Sequence, residues 1–338
     1  MHLPKISVVI PTYNRAKYLD QTIGSVICQK NADFEIIISD NCSIDNTFEV
    51  VEKYLMNPRV KYFKNATNIG MVNNWKEAVF NRSSAEWFII LSDDDYFVND
   101  DYLRSVLSCI EKNENIVLVY GEGTIFDETK KESTFLSLPF PDVVSGIDIF
   151  MSRGTVKPQD ATLCNMAFNR RLAMELNAFS NPDNLSCDSE LYLKCALLGN
   201  VGIVKGNNSV YRFHSSNLVN TISSSPSLRL GNLDFIFNVH DFAKDKLNAS
   251  QIHKFLENVN AKNGVQSCLL KSAAIGLDQY ILCKKYLLEK NHGLTKLFIE
   301  EPAFKIKLFL CRYFGRVLPF YLGLKMKFLR MKISNSIG

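Results

Sequence analysis

The sequence predicts an α/β fold: a largely parallel sheet with helices on both faces, followed by a helical C-terminal region. Two observations carry this. Between Lys5 and Tyr120, short apolar runs alternate with stretches of helical spacing, the rhythm of βαβ units. From about Ser225 onward the spacing is helical throughout.

The elements follow in order. Lys5–Pro11 (KISVVIP) is a continuous apolar run, as a strand buried on both faces requires. Ala16–Gln29 repeats Leu19, Ile23, Val26 and Ile27 at helical spacing. Phe34–Ser39 is the second strand, and Asp45–Leu55 a helix with Asp45 as its expected N-cap. Arg59–Phe63 predicts a short third strand and Met71–Phe80 a helix. Trp87–Leu91 is the fourth strand, stopping at three consecutive aspartates. Asp100–Ile110 reads as helix and Ile116–Tyr120 as strand. The stretch Gly121–Ser216 is less regular; Thr162–Asn169 and Val210–Phe213 read as strands and Ser189–Leu198 as a helix. Helices are expected near 227–247, 250–260 and 264–290, beyond a Ser/Asn-rich boundary at Ser215–Ser227.

At 338 residues the chain suffices for one large domain or two modest ones. Nine scattered cysteines, odd in number and without a CxxC pair or a leader pattern before them, predict reduced thiols in a cytosolic protein. The net charge of +4 is unevenly spread. From Pro302 onward there are eight basic residues and no acidic one, which leaves 31 basic against 35 acidic residues before it. A basic segment interleaved with Phe304, Ile306, Phe309, Phe314 and Phe320 suits an anionic membrane surface. The plainer alternative is a packed helix pair with solvated cations. No run reaches the ~20 apolar residues that span a bilayer, and no nucleic-acid partner is expected. Residues 1–217 are thus read as the catalytic domain, 218–301 as a helical region and 302–338 as a basic membrane-associating tail.

In open parallel sheets, ligands bind beyond the carboxyl ends of the strands. There the sequence carries PTYNR (Pro11–Arg15), SDNCSIDNT (Ser39–Thr47), NATNIG (Asn65–Gly70) and SDDDY (Ser92–Tyr96). Asp93, Asp94 and Asp95 are the sharpest signal. Adjacent carboxylates at a buried strand end repel, and Mg²⁺ or Mn²⁺ would resolve the repulsion and bridge a diphosphate. A solvated acidic turn is the alternative. Asp40 could accept hydrogen bonds from a nucleobase or simply form a turn. Asn68, Gly70 and Asn73 could approach a nucleotide or open a helix. Asp188 and Glu190 open a predicted helix, as caps or, for a sugar transfer, with one as general base. Arg212 and His214 share a strand face and could reach a diphosphate or its metal.

These segments, with NIGMVNNW (68–75), CDSELYLKCALLG (187–199) and YRFHSSN (211–217), resemble the family 2 glycosyltransferases over about Ile6–Asn217. The resemblance implies the GT-A fold, a Rossmann-like nucleotide-binding mixed sheet. It implies that Pro11, Tyr13 and Asp40 hold the nucleoside. Arg15, Asn68, Gly70, Asn73, Asp93, Asp94 and Arg212 complete the expected donor site. It further implies Asp94 or Asp95 as direct metal ligand with His214 beside it, and Asp188 as catalytic base. The chain departs from the family pattern at Asn41 and Cys42, at Ser92, and at Cys187 before Asp188. Within the family it is similar to bacterial O-antigen abequosyltransferases. This implies CDP-abequose as donor, a lipid-linked (undecaprenyl diphosphate) oligosaccharide as acceptor, and a place at the inner face of the bacterial membrane. The alternatives are an inactive polysaccharide-binding or scaffold protein and a nucleotidyltransferase; against the latter, PTYNR stands where a glycine-rich GxGxR-like loop would follow the first strand.

Overall fold

The computed structural model describes residues 3–153, 162–217 and 226–313. Its main sheet has eight strands in the order β3-β2-β1-β4-β10-β6-β11-β9. β1 (Ile6–Thr12) and β2 (Phe34–Asp40) are buried along their whole length, as their unbroken apolar runs require. With β3 (Val60–Lys64) and β4 (Trp87–Ile90) they form the parallel half, in register Ile10↔Ile38 and Val9↔Ile90. The other half makes the sheet mixed, as the resemblance implied. β10 (Met166–Asn169) enters antiparallel between β4 and β6 (Ile116–Gly121), where Phe168 stacks on Phe88 with ring centroids 5.5 Å apart. β11 (Asn200–Val204) then runs parallel to β6, and β9 (Val143–Ser145) closes the edge antiparallel.

Alternation along the strands divides the core. Val8, Ile10, Ile36 and Ile38 pack with α1 (Ala16–Ile27) and α4 (Tyr102–Lys112). Val9, Ile37, Phe88 and Ile90 share the other core with α3 (Met71–Lys76) and α7 (Cys187–Ala196). The expected helix through Phe80 changes at Glu77–Arg82 into a π-helical turn. Asp45 is not the cap of α2 (Thr47–Glu52): Asn46 takes that position. The Asp45 carboxylate accepts from the amides of Thr47 and Ala16, tying the starts of α1 and α2 together. α5 (Gly146–Ser152) starts so close to the end of α7 that a Cβ on Gly146 would lie 1.8 Å from the carbonyl oxygen of Ala196. α6 (Arg170–Glu175) follows β10.

A second, four-stranded sheet was not foreseen beyond one of its strands. Its order is β5-β12-β7-β8, from β5 (Tyr96–Phe97), β12 (Ser209–Phe213), β7 (Gly123–Asp127) and β8 (Glu132–Leu136). The pairing Val210↔Tyr96 zips the residues just after the acidic triplet to the strand leading into His214.

The C-terminal region comprises α8 (Pro226–Ala243), α9 (Ala249–Asn258), α10 (Ala261–Ile275), α11 (Leu277–Lys290), α12 (His292–Ile299) and α13 (Pro302–Tyr313). The helix expected over 264–290 is two helices meeting at Gly276. Phe304 and Cys311 are buried, Phe304 in a core with Leu269, Leu287 and Phe298, so the first part of the expected tail is packed onto the helical region. Residues 314–338 of that tail lie outside the described residues, as do 218–225 of the expected boundary. Among the described residues no helix is long and apolar enough to cross a membrane.

Candidate active site

The loops after β1, β2, β4 and β12 meet at the carboxyl end of the parallel strands. Asn14 takes a left-handed conformation (φ 53°), which an asparagine tolerates. Its amide donates to Ser43 Oγ (2.9 Å) and its Oδ1 accepts from the Ile44 amide (2.9 Å), so the first two loops brace each other. Next to it, Arg15 extends across to the fourth loop. Its guanidinium lies 3.5 Å from Asp94 Oδ2 and 3.3 Å from His214 Nε2, and donates to the Ser216 carbonyl at 2.7 Å.

The three aspartates point in different directions. Asp93 Oδ2 accepts from the Tyr13 amide at 3.4 Å. Burial, with the charge of Asp94 adding to it, pushes the Asp93 carboxyl up to about 7. Asp94 Oδ2 lies 2.9 Å from His214 Nε2. Asp95 turns inward: its Oδ1 accepts from the backbone amide of Arg212 at 2.9 Å, tying the loop to β12. Burial first, then Asp94, hold its carboxyl well above the usual range. The expected ligand pair is thus resolved into Asp94, which faces His214, and Asp95, which is committed to the fold.

Arg212 is also committed inward. Its Nε donates to the Asp94 carbonyl (3.0 Å) and its Nη2 to Gln21 Oε1 (2.6 Å), and its guanidinium lies over the rings of Tyr18 and Tyr96. It braces the acidic loop from behind, while His214, two residues on, takes the front.

The residues expected to hold the nucleoside form a separate group. Asp40 is fully buried; its Oδ1 accepts from the Ser43 amide (2.7 Å) and its Oδ2 from the Tyr62 hydroxyl (2.6 Å). The turn-forming role is therefore the one its carboxylate fills here. Asn68 Oδ1 accepts from Asn41 Nδ2 (2.8 Å) and the Gly70 amide (2.9 Å). Gly70, at φ +83°, is the N-cap of α3 with no side-chain cap, and an added Cβ would meet open space, so glycine is there for the backbone. Asn73 Nδ2 donates to the Ile69 carbonyl. Tyr13 is 45% exposed, and its backbone amide reaches the acidic side at Asp93. Pro11 is buried near the end of β1.

Asp188 lies in the first turn of α7, half-buried, its Oδ1 accepting from the Ser189 amide at 2.7 Å. Among the described residues it shares no hydrogen bond with either group. Ser186, not Asp188, is the N-cap residue. Desolvation raises the Asp188 carboxyl above its ordinary value, against the opposing pull of that amide and of Arg153. Glu190 is a brace, accepting from Asn184, Asn238 and Lys194.

Several working residues carry no motif in the sequence. The Tyr18 ring stacks on His214 (centroids 5.1 Å, 21° between planes) and its hydroxyl donates to Glu128. Thr22 Oγ1 lies within hydrogen-bond reach of the carbonyls of Asp93 (3.0 Å) and Asp95 (2.7 Å). Their signal was the i, i+4 spacing of Tyr18 and Thr22 on the helix that follows PTYNR, which marks one face. Asn74, Asn65 and Arg82 form a buried network with Ser39 that no motif announces.

Among the described residues no three His, Cys, Asp or Glu side chains form a ready metal cage. The donor set still fits a hard divalent cation. Mg²⁺ characteristically takes one or two carboxylates and completes its shell with substrate phosphates and water. Asp94, beside the His214 imidazole, supplies a carboxylate of that kind, and a cation would offset the charge of Asp94 that, after burial, helps to raise Asp93.

Comparison with known proteins converges on one family. Residues 7–174 match Glycosyl transferase family 2. The chain is 31% identical over 144 residues to the Staphylococcus aureus poly(ribitol-phosphate) beta-N-acetylglucosaminyltransferase TarS, covering 39% of this chain and 25% of that protein. It is 33% identical over 156 residues to a Campylobacter jejuni GalNAc(5)-diNAcBac-PP-undecaprenol beta-1,3-glucosyltransferase, covering 45% and 49%. The chain thus spans a quarter to a half of the length of these relatives. The crystal structure of S. aureus TarS 1-349 in complex with UDP-GlcNAc superposes with a TM-score of 0.64 at 16% identity, over 84% of this chain and 81% of that one. The fold is GT-A.

Proposed function

From a chain that belongs over residues 7–174 to glycosyl transferase family 2, we propose that the protein is an inverting, metal-dependent glycosyltransferase using a nucleotide-sugar donor. One observation carries this reading: Asp93, Asp94, Arg15 and His214, from three separate loops, converge at the carboxyl end of the parallel strands. Such a cluster of buried carboxylates beside a guanidinium and an imidazole suits a diphosphate with its counter-ion.

Asp94, Asp93 and His214 would hold Mg²⁺ or Mn²⁺, which supplies neutralisation of the charge on the departing nucleoside diphosphate. Arg15 and its neighbours orient the diphosphate, the guanidinium being free to exchange Asp94 for a phosphate oxygen. Tyr13 offers a ring face to the base. Asp188 takes the proton from the acceptor hydroxyl as its oxygen attacks the anomeric carbon from the side opposite the leaving group; that opposed attack inverts the centre. A carboxyl raised by burial is a stronger base for this step.

The acceptor we favour is a lipid-linked oligosaccharide on undecaprenyl diphosphate, in surface-polysaccharide synthesis at the inner face of the bacterial membrane. The C. jejuni relative is named for an undecaprenol-diphosphate-linked substrate. Exposed Ile306 and Phe309 beside Lys305 and Lys307, in a segment without acidic residues, support contact with an anionic leaflet. CDP-abequose is the specific donor proposed, on the resemblance to abequosyltransferases. The test is nucleoside diphosphate release from UDP-, GDP-, CDP- and dTDP-sugars with Mn²⁺. Release from a CDP-sugar above the others supports the donor; full release in EDTA overturns the metal; no release from any donor overturns the enzyme reading.

A further inference from the structure

The segment 176–186, between α6 and α7, leads to Asp188, and it is held both by apolar packing of Leu176, Phe179 and Leu185 on the core and by specific polar ties. Asn177 and Phe179 both adopt left-handed backbone (φ 50° and 59°), so the segment has little intrinsic preference for its path. Phe179 pins one end against Trp75 and Phe80. Two residues further on, the segment is tied to the C-terminal helices. Asn181 Nδ2 donates to Asp234 Oδ2 on α8 at 2.7 Å. Asp234 is fully buried and accepts further from the Tyr286 hydroxyl (2.8 Å) and Lys290 Nζ (2.9 Å), both on α11. Within the segment, Asn181 and Asn184 fold successive turns: Asp183 donates its amide to Asn181 Oδ1, and Ser186 donates its amide to Asn184 Oδ1. A second tie runs from Asn238, also on α8, to Glu190, which Asn184 holds as well.

A buried carboxylate held by three donors, two of them on one helix and the third on the loop that leads to Asp188, is an anchor between regions. We propose that Asp234 is a positioning residue for the transfer reaction, acting through Asn181 to fix the loop that carries Asp188; this rests on the reading of Asp188 as the base. The C-terminal helices are then part of the catalytic unit. Tyr286 and Lys290 orient the Asp234 carboxylate, so that its Oδ2 faces Asn181. Loss of the tie leaves the fold of the sheet intact and lets the first turn of α7 wander, and displacement of a base by about 1 Å costs up to about 10²-fold in rate.

The experiment uses the full chain with Asn181→Ala, Asp234→Asn, and the exchanged pair Asn181→Asp with Asp234→Asn. The exchange puts the carboxylate on the loop and the amide donor on α8, so the hydrogen bond can re-form with reversed polarity. Amide hydrogen exchange is read over 183–190, and turnover and KM with the donor hydrolysed fastest among UDP-, GDP-, CDP- and dTDP-sugars. Each single change is expected to speed exchange there about tenfold and to lower kcat about 10- to 100-fold, with donor KM within about twofold. The exchanged pair recovers much of both. Unchanged exchange in the single variants, faster exchange with unchanged kcat, or an exchanged pair as impaired as Asp234→Asn would overturn the proposal. Asp188→Asn, assayed alongside, separates two failures. Full turnover there removes the base and with it the catalytic meaning of the tie; normal exchange in the Asp234 variant removes the tie alone.

Discussion

The two polar groups at the carboxyl end of the sheet differ in how their hydrogen bonds and charges are balanced. In the group around Asn41 and Asn74, Ser39 Oγ donates to Asn74 Oδ1 (2.7 Å), Asn74 Nδ2 returns to the Ser39 carbonyl (2.9 Å), and Asn65 Nδ2 joins the same Asn74 oxygen (3.0 Å). Asn41 Oδ1 accepts from the Ile69 amide (2.9 Å), and the Arg82 guanidinium closes the set on Ser39 and Asn65. Amides carry donor and acceptor on one group, so such a network can satisfy itself. On the acidic side, three successive carboxylates have no donors of their own, and two of them are driven toward the neutral form by burial and by Asp94. Arg15 and His214 both face the Asp94 carboxylate. A self-satisfied network is scaffold; an unbalanced one is suited to a ligand.

The largest effect expected is on the chemistry that the acidic side serves. Asp188→Asn is nearly isosteric but cannot take the proton, and should cut turnover by ~10²–10⁴-fold with donor affinity near normal, measured as nucleoside diphosphate release. Retained activity per folded molecule in a destabilised variant would make Asp188 a structural residue. On the other side, Asn74→Ala strands buried partners at Ser39 and Asn65 and should cost about 1–3 kcal/mol of stability in denaturant unfolding, with turnover per folded molecule changed only a few-fold. Loss of turnover without loss of stability would erase the contrast between the two groups.

A finer test uses pH. Asp93 has a folded-state pKa raised to about 7 from an ordinary 3.8. Between those values the folded protein holds a proton that the unfolded chain has released, so this group's contribution lowers stability as pH rises toward 7. A cation competes with that proton. The rise in Tm on adding Mn²⁺ should therefore be smaller at pH 5.5 than at pH 8, and a rise independent of pH would place the cation away from Asp93. The smallest effect concerns α13. Cutting the chain after Glu301 would also remove Phe304 and Cys311 from their buried positions, so substitution is the cleaner probe. Lys305→Ala and Lys307→Ala should each weaken binding to anionic vesicles by about 1 kcal/mol at low salt; equal co-sedimentation would leave these cations as solvated surface.

Much of this was legible in the sequence because burial on both faces leaves a strong trace. The runs ISVVIP, FEIIIS and WFIIL locate β1, β2 and β4 to within a residue or two, and the site lies in the loops just beyond them. The second sheet was not legible: β5 has two residues and β8 is mostly exposed, so neither leaves an apolar run. Its consequence, that β12 sets His214 against Asp94 and turns Arg212 inward, depends on pairing between residues more than a hundred positions apart. Strand alternation gave Arg212 and His214 a common face, and both do meet Tyr18 and Asp94; what it could not give is that Arg212 takes the Asp94 carbonyl and His214 its carboxylate. The break at Gly276 was likewise hidden, since helical spacing continues across it.

The central claim is that the acidic group binds a nucleoside diphosphate together with a divalent cation. Calorimetric titration of the full chain with UDP, GDP, CDP and dTDP, each in Mn²⁺ and in EDTA, and repeated on Asp94→Asn, tests it most directly. Saturable binding of at least one nucleotide is expected in Mn²⁺, lost or weakened at least about tenfold both in EDTA and in Asp94→Asn. Equal binding with and without the cation, or binding unaffected by Asp94→Asn, would contradict it, as would the absence of binding by all four.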